Sequence, residues 1–232
     1  MSDEITSLTL CEVAGAIRLR KFSAVEVMEA TLARIERLQP ILNAFILLEG
    51  DGAMEAARAA DELQAKGKDL PSLHGVPMAH KDLLYRTGRI STCGSKIRSK
   101  IKADMTATAL NRLDLAGAIE VGTLNMAEFA ASGTGHNEHY GDCRNPWNTD
   151  HIVGGSSSGS GAAVAARMVS GSLGSDTGGS VRIPAGLCGI TGIKPTDGRV
   201  SRYGVMPRSW TSDTLGPMTR TARDAARMMS II

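Results

Sequence analysis

Between Gly154 and Ser180 the chain reads GGSSSGSGAAVAARMVSGSLGSDTGGS, two Gly/Ser turns joined by a stretch of small residues. The turns are Gly154–Gly159 and Gly174–Ser180. Half of the chain's 26 glycines lie between positions 154 and 204. Glycine is costly to order and is placed where backbone bends sharply or must approach another group closely. A flexible linker would share this composition. Against that reading, Ala162–Ala166 is helix-forming and Val181–Ile193 is apolar and packed-looking. Hydroxyls on glycine turns are the raw material of nucleophilic catalysis.

Three other chemistries fit this stretch worse. Gly159-Ser160-Gly161-Ala162-Ala163-Val164 half-matches a dinucleotide fingerprint, but Val164 stands where a Gly or Ala is needed for close helix–strand packing. No GxxxxGK[ST] occurs, so a P-loop is excluded. Gly155-Ser156-Ser157-Ser158-Gly159 matches the nucleophile elbow G-x-S-x-G, which would make Ser157 the nucleophile. That elbow needs a later histidine, and His74, His80, His136, His139 and His151 all precede it.

A serine nucleophile without histidine needs another base, and lysine is the known alternative. The lysine must be neutral to accept a proton, which requires apolar burial or a neighbouring positive charge. Lys81 sits best, ending the apolar run Val76–Ala79 and preceding Leu83-Leu84. Lys66, Lys68, Lys96, Lys100 and Lys102 lie in polar contexts. A surface lysine at a strand end is the alternative for Lys81. For Ser157, Ser158 and Ser160 it is turn and helix-cap chemistry.

The elements that must carry these groups follow from the patterning. Thr9-x-x-Glu12 and Ser23-x-x-Glu26 are capping boxes opening helices. The second helix places Val25, Met28, Leu32, Ile35 and Leu38 on one stripe, and Pro40 is expected to end it. Leu42–Leu48 reads as a strand and Asp51–Lys66 as a helix. Residues 1–68 thus form an amino-terminal helical layer, and 69–232 the catalytic core of a single fold. Within the core, strands are expected at 76–80, 119–121 and 189–193. Helices are expected at 106–116 and 125–131, and a last one from Ala222. This alternation means an α/β class with a mixed, largely buried β-sheet flanked by helices. The chain ends at Ile232 inside an apolar helix, which reads as the amino-terminal part of something longer; a short natural helix end is the alternative.

Composition narrows the partners. The net charge of +2 leaves no electrostatic footprint for nucleic acid or an anionic membrane, and 3% aromatics argues against a base-stacking surface. No apolar run approaches the ~20 residues of a membrane span, and the first residues lack a signal-peptide pattern. Cys11, Cys93, Cys143 and Cys188 are widely spaced, without CxxC or metal-ligand spacing with the histidines. They read as reduced thiols of a cytoplasmic protein with no metal and no cofactor.

The sequence resembles the amidase signature hydrolases over roughly residues 5–232. The resemblance rests on the block from Gly154 to Thr196: Gly-Gly-Ser-Ser, a small-residue helix, Gly-Ser-Asp-Thr-Gly-Gly-Ser and Gly-Ile-Lys-Pro-Thr. Further matches are Gly75-Val76-Pro77 with Lys81-Asp82, Asn125–Phe129, Asn145-Pro146-Trp147 and Gly216–Arg220. It implies the amidase signature fold, incomplete at the carboxyl end, and a Ser-cisSer-Lys triad. In that triad Ser180 is the acylated nucleophile, Lys81 the base, and Ser156 the bridging serine after a cis Gly155–Ser156 peptide. The amides of Thr177, Gly178, Gly179 and Ser180 would form the oxyanion hole. Asp176 and Arg182 are expected to shape the loop, and Ser157 to support the hydroxyl network. Gly122-Thr123-Leu124-Asn125 replaces the family's more common Gly-Lys-Thr-Asn. Members normally continue for a comparable length beyond position 232.

The implied function is hydrolysis of a linear carboxamide, small or aryl, through an acyl-enzyme, releasing a carboxylate and ammonia or an amine. The alternative is the glutaminase subunit of a tRNA-dependent amidotransferase, and a third reading is an inactive truncated fragment. Ser132–Gly141 resembles the stand-alone enzymes more. The partners implied are a small amide, a second copy in a homodimer, or amidotransferase subunits.

Overall fold

The computed structural model describes residues 2–67 and 69–232. Met1 and Lys68, the outer bounds of the expected amino-terminal layer, lie outside them. The chain opens with α1 (Ser2–Ser7), α2 (Leu10–Arg18) and α3 (Ala24–Leu42). Both capping boxes form. The Glu12 amide donates to Thr9 Oγ1 while Glu12 Oε2 accepts from the Thr9 amide at 2.8 Å, and Ser23 and Glu26 repeat the pattern. These bonds satisfy amides that the first helical turn cannot.

Pro40 does not end α3, which runs on to Leu42. Proline's missing N–H deprives only the Glu36 carbonyl, on an exposed stretch where water can serve it. The stop comes from Asn43, in the left-handed region at φ 48°, whose amide donates to the Gln39 carbonyl. The buried stripe of α3 is centred on Val27, Met28, Thr31 and Ile35, with Val25, Leu32 and Leu38 only partly buried against the core.

Next come β1 (Phe45–Leu48), α4 (Gly50–Ala65), β2 (Pro77–Lys81), α5 (Thr108–Leu115) and β3 (Ile119–Leu124). After α6 (Ser158–Ala165) follow β4 (Gly171–Asp176), α7 (Arg182–Cys188), β5 (Thr191–Gly192), β6 (Thr214–Thr219) and α8 (Ala222–Met229). The last helix stops three residues before Ile232. One mixed six-stranded sheet has the order β1-β3-β2-β4-β6-β5. β2 runs parallel to β3 and β4, whereas β1, and β6 against β4 and β5, pair antiparallel. No described helix is long and apolar enough to cross a membrane.

β4 departs from the expectation of a turn beginning at Gly174. Gly171–Asp176 is a wholly buried strand next to the centre of the sheet, paired residue by residue with β6 from Gly171↔Thr219 to Asp176↔Thr214. Its small side chains serve close packing rather than bending. α6 is buried on nearly every side and lies against β4: Ser172 Oγ donates to Ser160 Oγ at 2.9 Å, and a Cβ on Gly174 would fall 2.7 Å from Ser157 Oγ.

Two other expected elements shrink. The helix at 125–131 is a single 3-10 turn, Glu128–Ala130, because its amides bond across the chain: Asn125 to Ala44, Ala127 to Ser156 and Phe129 to Cys93. The strand at 189–193 is reduced to Thr191–Gly192, since Gly189 adopts φ 67° as the cap of α7.

Candidate active site

Because β2 and β4 are parallel neighbours, their carboxyl ends, Lys81 and Asp176, reach the same edge of the sheet. Open α/β sheets place their chemistry at that edge. The turn leading into α6 arrives there too, with the Gly155–Ser156 peptide cis. The Gly155 amide donates to the Gly133 carbonyl at 2.7 Å, and the Ser156 carbonyl accepts from Ala127.

Lys81 is 1% exposed, and its Nζ lies 2.6 Å from Ser156 Oγ and 2.8 Å from Ser175 Oγ. Burial pushes the amine from 10.5 down to about 7; the Asp176 carboxylate opposes this shift and the Arg208 guanidinium adds to it. A desolvated amine held by two hydroxyls can be neutral near pH 7 and accept a proton. Ser175 stands outside the expected site residues. Its signal appears only when Gly171–Asp176 is read as a strand.

Ser180 is buried in the turn after β4, and its carbonyl accepts from the Ser157 amide at 3.3 Å. Ser157 also donates its hydroxyl to the Ser175 carbonyl, at 3.3 Å. The two Gly/Ser turns therefore lie side by side. The hydrogen bonds of the Lys81–Ser156–Ser175 cluster stop short of the Ser180 hydroxyl. Contacts of this kind commonly tighten only around a bound substrate.

The turn after β4 is shaped by Asp176. Its carboxylate accepts from the amides of Gly179 at 2.8 Å and of Val181 and Arg182 at 3.3 Å. The Arg182 guanidinium adds two bonds, at 2.9 and 3.0 Å. Burial alone would raise this carboxyl; Arg182 and the loop amides outweigh it and hold the group below its ordinary value. Of the four amides expected to face an oxyanion, Gly179 is therefore already committed. Those of Thr177, Gly178 and Ser180 find no acceptor among the described residues.

A second carboxylate, that of Asp213, is not among the expected residues and ties this turn to the segment before β6. It accepts from the Thr177 hydroxyl and from the amides of Arg208 at 2.7 Å and Ser209 at 2.8 Å. A cleft of about 340 Å³ has Ser175 in its lining, together with Leu83, Arg208, Trp210, Thr214 and Leu215.

The family model for amidases matches residues 26–232. This chain belongs to the amidase family. Among curated family members, a glutamyl-tRNA(Gln) amidotransferase subunit of Methylococcus capsulatus is 49% identical over 224 residues, 97% of this chain and 46% of that protein. The Azotobacter vinelandii protein of the same name is 48% identical over 223 residues, covering 96% and 46%. The chain thus spans about half the length of the curated relatives it matches. Among solved amidase structures, the native peptide amidase of Stenotrophomonas maltophilia superposes with a TM-score of 0.91 at 34% identity, covering 97% of this chain and 47% of that one. A structure described as a vestigial protein complex bearing on the origins of an s-triazine catabolic enzyme gives 0.93 at 43% identity, with 96% and 49% covered.

Proposed function

We propose that this amidase-family chain carries the machinery of a two-step amide hydrolase acting on a small linear carboxamide. The observation that carries the reading is the buried Lys81 amine 2.6 Å from Ser156 Oγ. Neutral Lys81 takes the Ser156 proton as Ser156 takes that of Ser180, and Ser180 Oγ attacks the amide carbonyl carbon. Negative charge gathers on the carbonyl oxygen, where the amides of Thr177, Gly178 and Ser180 can meet it. Removing one such donor typically costs about 10²–10³ in rate. The C–N bond breaks as the relay returns the proton to the leaving nitrogen, giving ammonia or an amine and an acyl ester on Ser180. Water, deprotonated by the same relay, cleaves that ester and releases the carboxylate. Asp176, Arg182 and Ser157 act by holding the turns. No cofactor enters these steps, and a cytoplasmic setting suits the four thiols.

Labelling with a serine-directed phosphonate, followed by peptide mass spectrometry, tests this. The expected adduct is on Ser180 and is lost in Lys81→Ala; equal labelling of Lys81→Ala would remove lysine from the mechanism, and an unlabelled Ser180 would leave an inactive fragment.

The second reading is a glutaminase subunit, favoured by the name shared by the curated relatives. Under it the partners are amidotransferase subunits; under the first, a homodimer or none. Ammonia release by the isolated protein from glutamine, compared with a panel of simple amides, separates the two.

A further inference from the structure

The residue after Lys81 carries a buried carboxylate that the steps above leave unused. Asp82 directly follows β2 and is 1% exposed. Its Oδ2 accepts from the Thr92 amide at 2.9 Å and from the Thr92 hydroxyl. Its carbonyl accepts from the Ser91 hydroxyl at 2.6 Å and from the Cys93 amide at 3.2 Å. Residues 91–93 are thus tied to the end of the strand that carries the amine. A buried carboxylate needs donors of this kind to offset its lost hydration.

The tied loop continues towards Ser156. Thr92 Oγ1, while donating to Asp82, accepts from the Gly94 amide at 3.1 Å. Cys93 and Gly94 both take the left-handed region, at φ 53° and 71°. Cys93 is not a glycine, so that conformation persists only where the surroundings enforce it. Two carbonyls of this turn bond the next segment. That of Cys93 accepts from the Phe129 amide at 2.9 Å, and that of Gly94 from Asn137 Nδ2 at 2.9 Å. The contact has no slack, since a Cβ on Gly94 would lie 2.8 Å from the Met126 carbonyl oxygen. Phe129 and Ala130 are themselves left-handed, at φ 47° and 58°. Just before them, the Ala127 amide donates to the Ser156 carbonyl at 3.1 Å. A hydrogen-bonded path therefore leaves the chain beside Lys81 and returns to the backbone of Ser156, whose hydroxyl stands 2.6 Å from the amine.

We infer that Asp82 is a positioning residue: through Thr92 and the Cys93–Gly94 turn its carboxylate holds Ala127 against Ser156, and so fixes the Ser156 hydroxyl on the Lys81 amine. This rests on the reading above in which Lys81 and Ser156 form the relay. After burial, the charges that chiefly move the amine are those of Asp176, Arg208 and Asp213. Asp82 thus acts through bonding geometry rather than through its field.

The test runs at about pH 8, where the Asp82 carboxyl, which burial pushes up to about 6, is ionised. Ser180 phosphonylation rates and amide hydrogen exchange are measured for the wild type, Asp82→Ala, Asp82→Asn and Thr92→Val. Asp82→Ala should slow labelling by about ten- to a hundredfold, the range for a misplaced reacting group. Asp82→Asn, which keeps one acceptor oxygen for Thr92, should recover most of that loss. Thr92→Val, which loses the hydroxyl but keeps the amide, should fall between. In Asp82→Ala the Ala127 and Phe129 amides should exchange about tenfold faster or more, while the β4–β6 ladder amides keep wild-type rates. Unchanged labelling in Asp82→Ala, equal losses in Asp82→Ala and Asp82→Asn, or an Ala127 amide exchanging as in the wild type would overturn the inference. Should Asp82→Ala speed the ladder amides as well, Thr92→Val decides. Slowed labelling with faster exchange confined to Ala127 and Phe129 supports the path; the absence of either sinks it. If wild-type Ser180 takes no label, the hydrolase reading fails and exchange decides this one separately: faster exchange confined to Ala127 and Phe129 supports the path, and equal rates sink it.

Discussion

The Lys81 amine sits 2.6 Å from the Ser156 hydroxyl although 75 positions of chain separate them, and both side chains are almost wholly out of water. Placing an ammonium there would be costly, so the lowered proton affinity of the amine and its dry setting are one feature.

Activity should follow the neutral amine. Burial first, with Arg208 assisting against Asp176, sets Lys81 near 7. The kcat/KM of the wild type is expected to rise with pH through about 7 to a plateau, and the rising limb should move upward in Arg208→Met, because losing a positive neighbour lets the amine keep its proton. A limb that falls with pH, or that does not move, would contradict this assignment; a pH–rate profile on a neutral amide reads both.

Stability should carry the mark of the same group at higher pH. Between pH 7 and 10.5 the unfolded lysine holds a proton that the folded one has released, so folding strengthens as pH rises across that window. Below about 7 the folded state carries the full penalty. The melting temperature of Lys81→Met relative to the wild type is therefore expected to be most favourable at about pH 6 and to decline towards about pH 10. A difference independent of pH would mean that the amine is solvated.

Asp176→Ala should cost about 2–4 kcal/mol in urea unfolding, chiefly from stranding the amides of Gly179, Val181 and Arg182. The Arg182 side chain is 54% exposed, so the ion pair itself adds little. Asp176→Asn, which keeps one acceptor oxygen, should lose less. Equal losses in the two variants would show that charge, not loop bonding, is what matters.

Gly159→Ala and Gly186→Ala form a matched pair. A Cβ on Gly159 would lie 2.2 Å from the Ala44 carbonyl oxygen and 2.5 Å from the Asn125 nitrogen, forcing α6 away from the end of β3. A loss of about 1–3 kcal/mol or more is expected, with impaired phosphonate labelling as Ser156 shifts. A Cβ on Gly186, within α7, meets nothing within 4 Å, and Ala there should stabilise by about 0.5–1 kcal/mol. Thermal melts of both proteins decide the point.

Much of the fold could be read locally. A hydroxyl and a carboxylate three residues apart settle a helix start within one turn of chain, and both capping boxes form. The apolar run ahead of Lys81 marks a buried strand, and the Gly/Ser block identifies the family. Other elements depended on distant partners. Gly171–Asp176 has a turn's composition and becomes a strand because β6 supplies its ladder and α6 needs its missing side chains. Asn125–Ala131 forms a single 3-10 turn because its amides go to Ala44, Ser156 and Cys93.

By itself the sequence determined the chemical inventory: hydroxyls on glycine turns, one lysine ending an apolar run, no histidine after Ser157, and a Gly/Ser block that marks the family. Tertiary structure alone decided which groups meet. It put Ser175 beside Lys81, committed the Gly179 amide to Asp176, and set Arg208 over the cleft through Asp213 and Ala130. The reason is physical. Residue types and near-neighbour spacing act within a turn or two of chain, whereas desolvation and hydrogen bonding at the site arise from strand pairing between segments far apart in the chain.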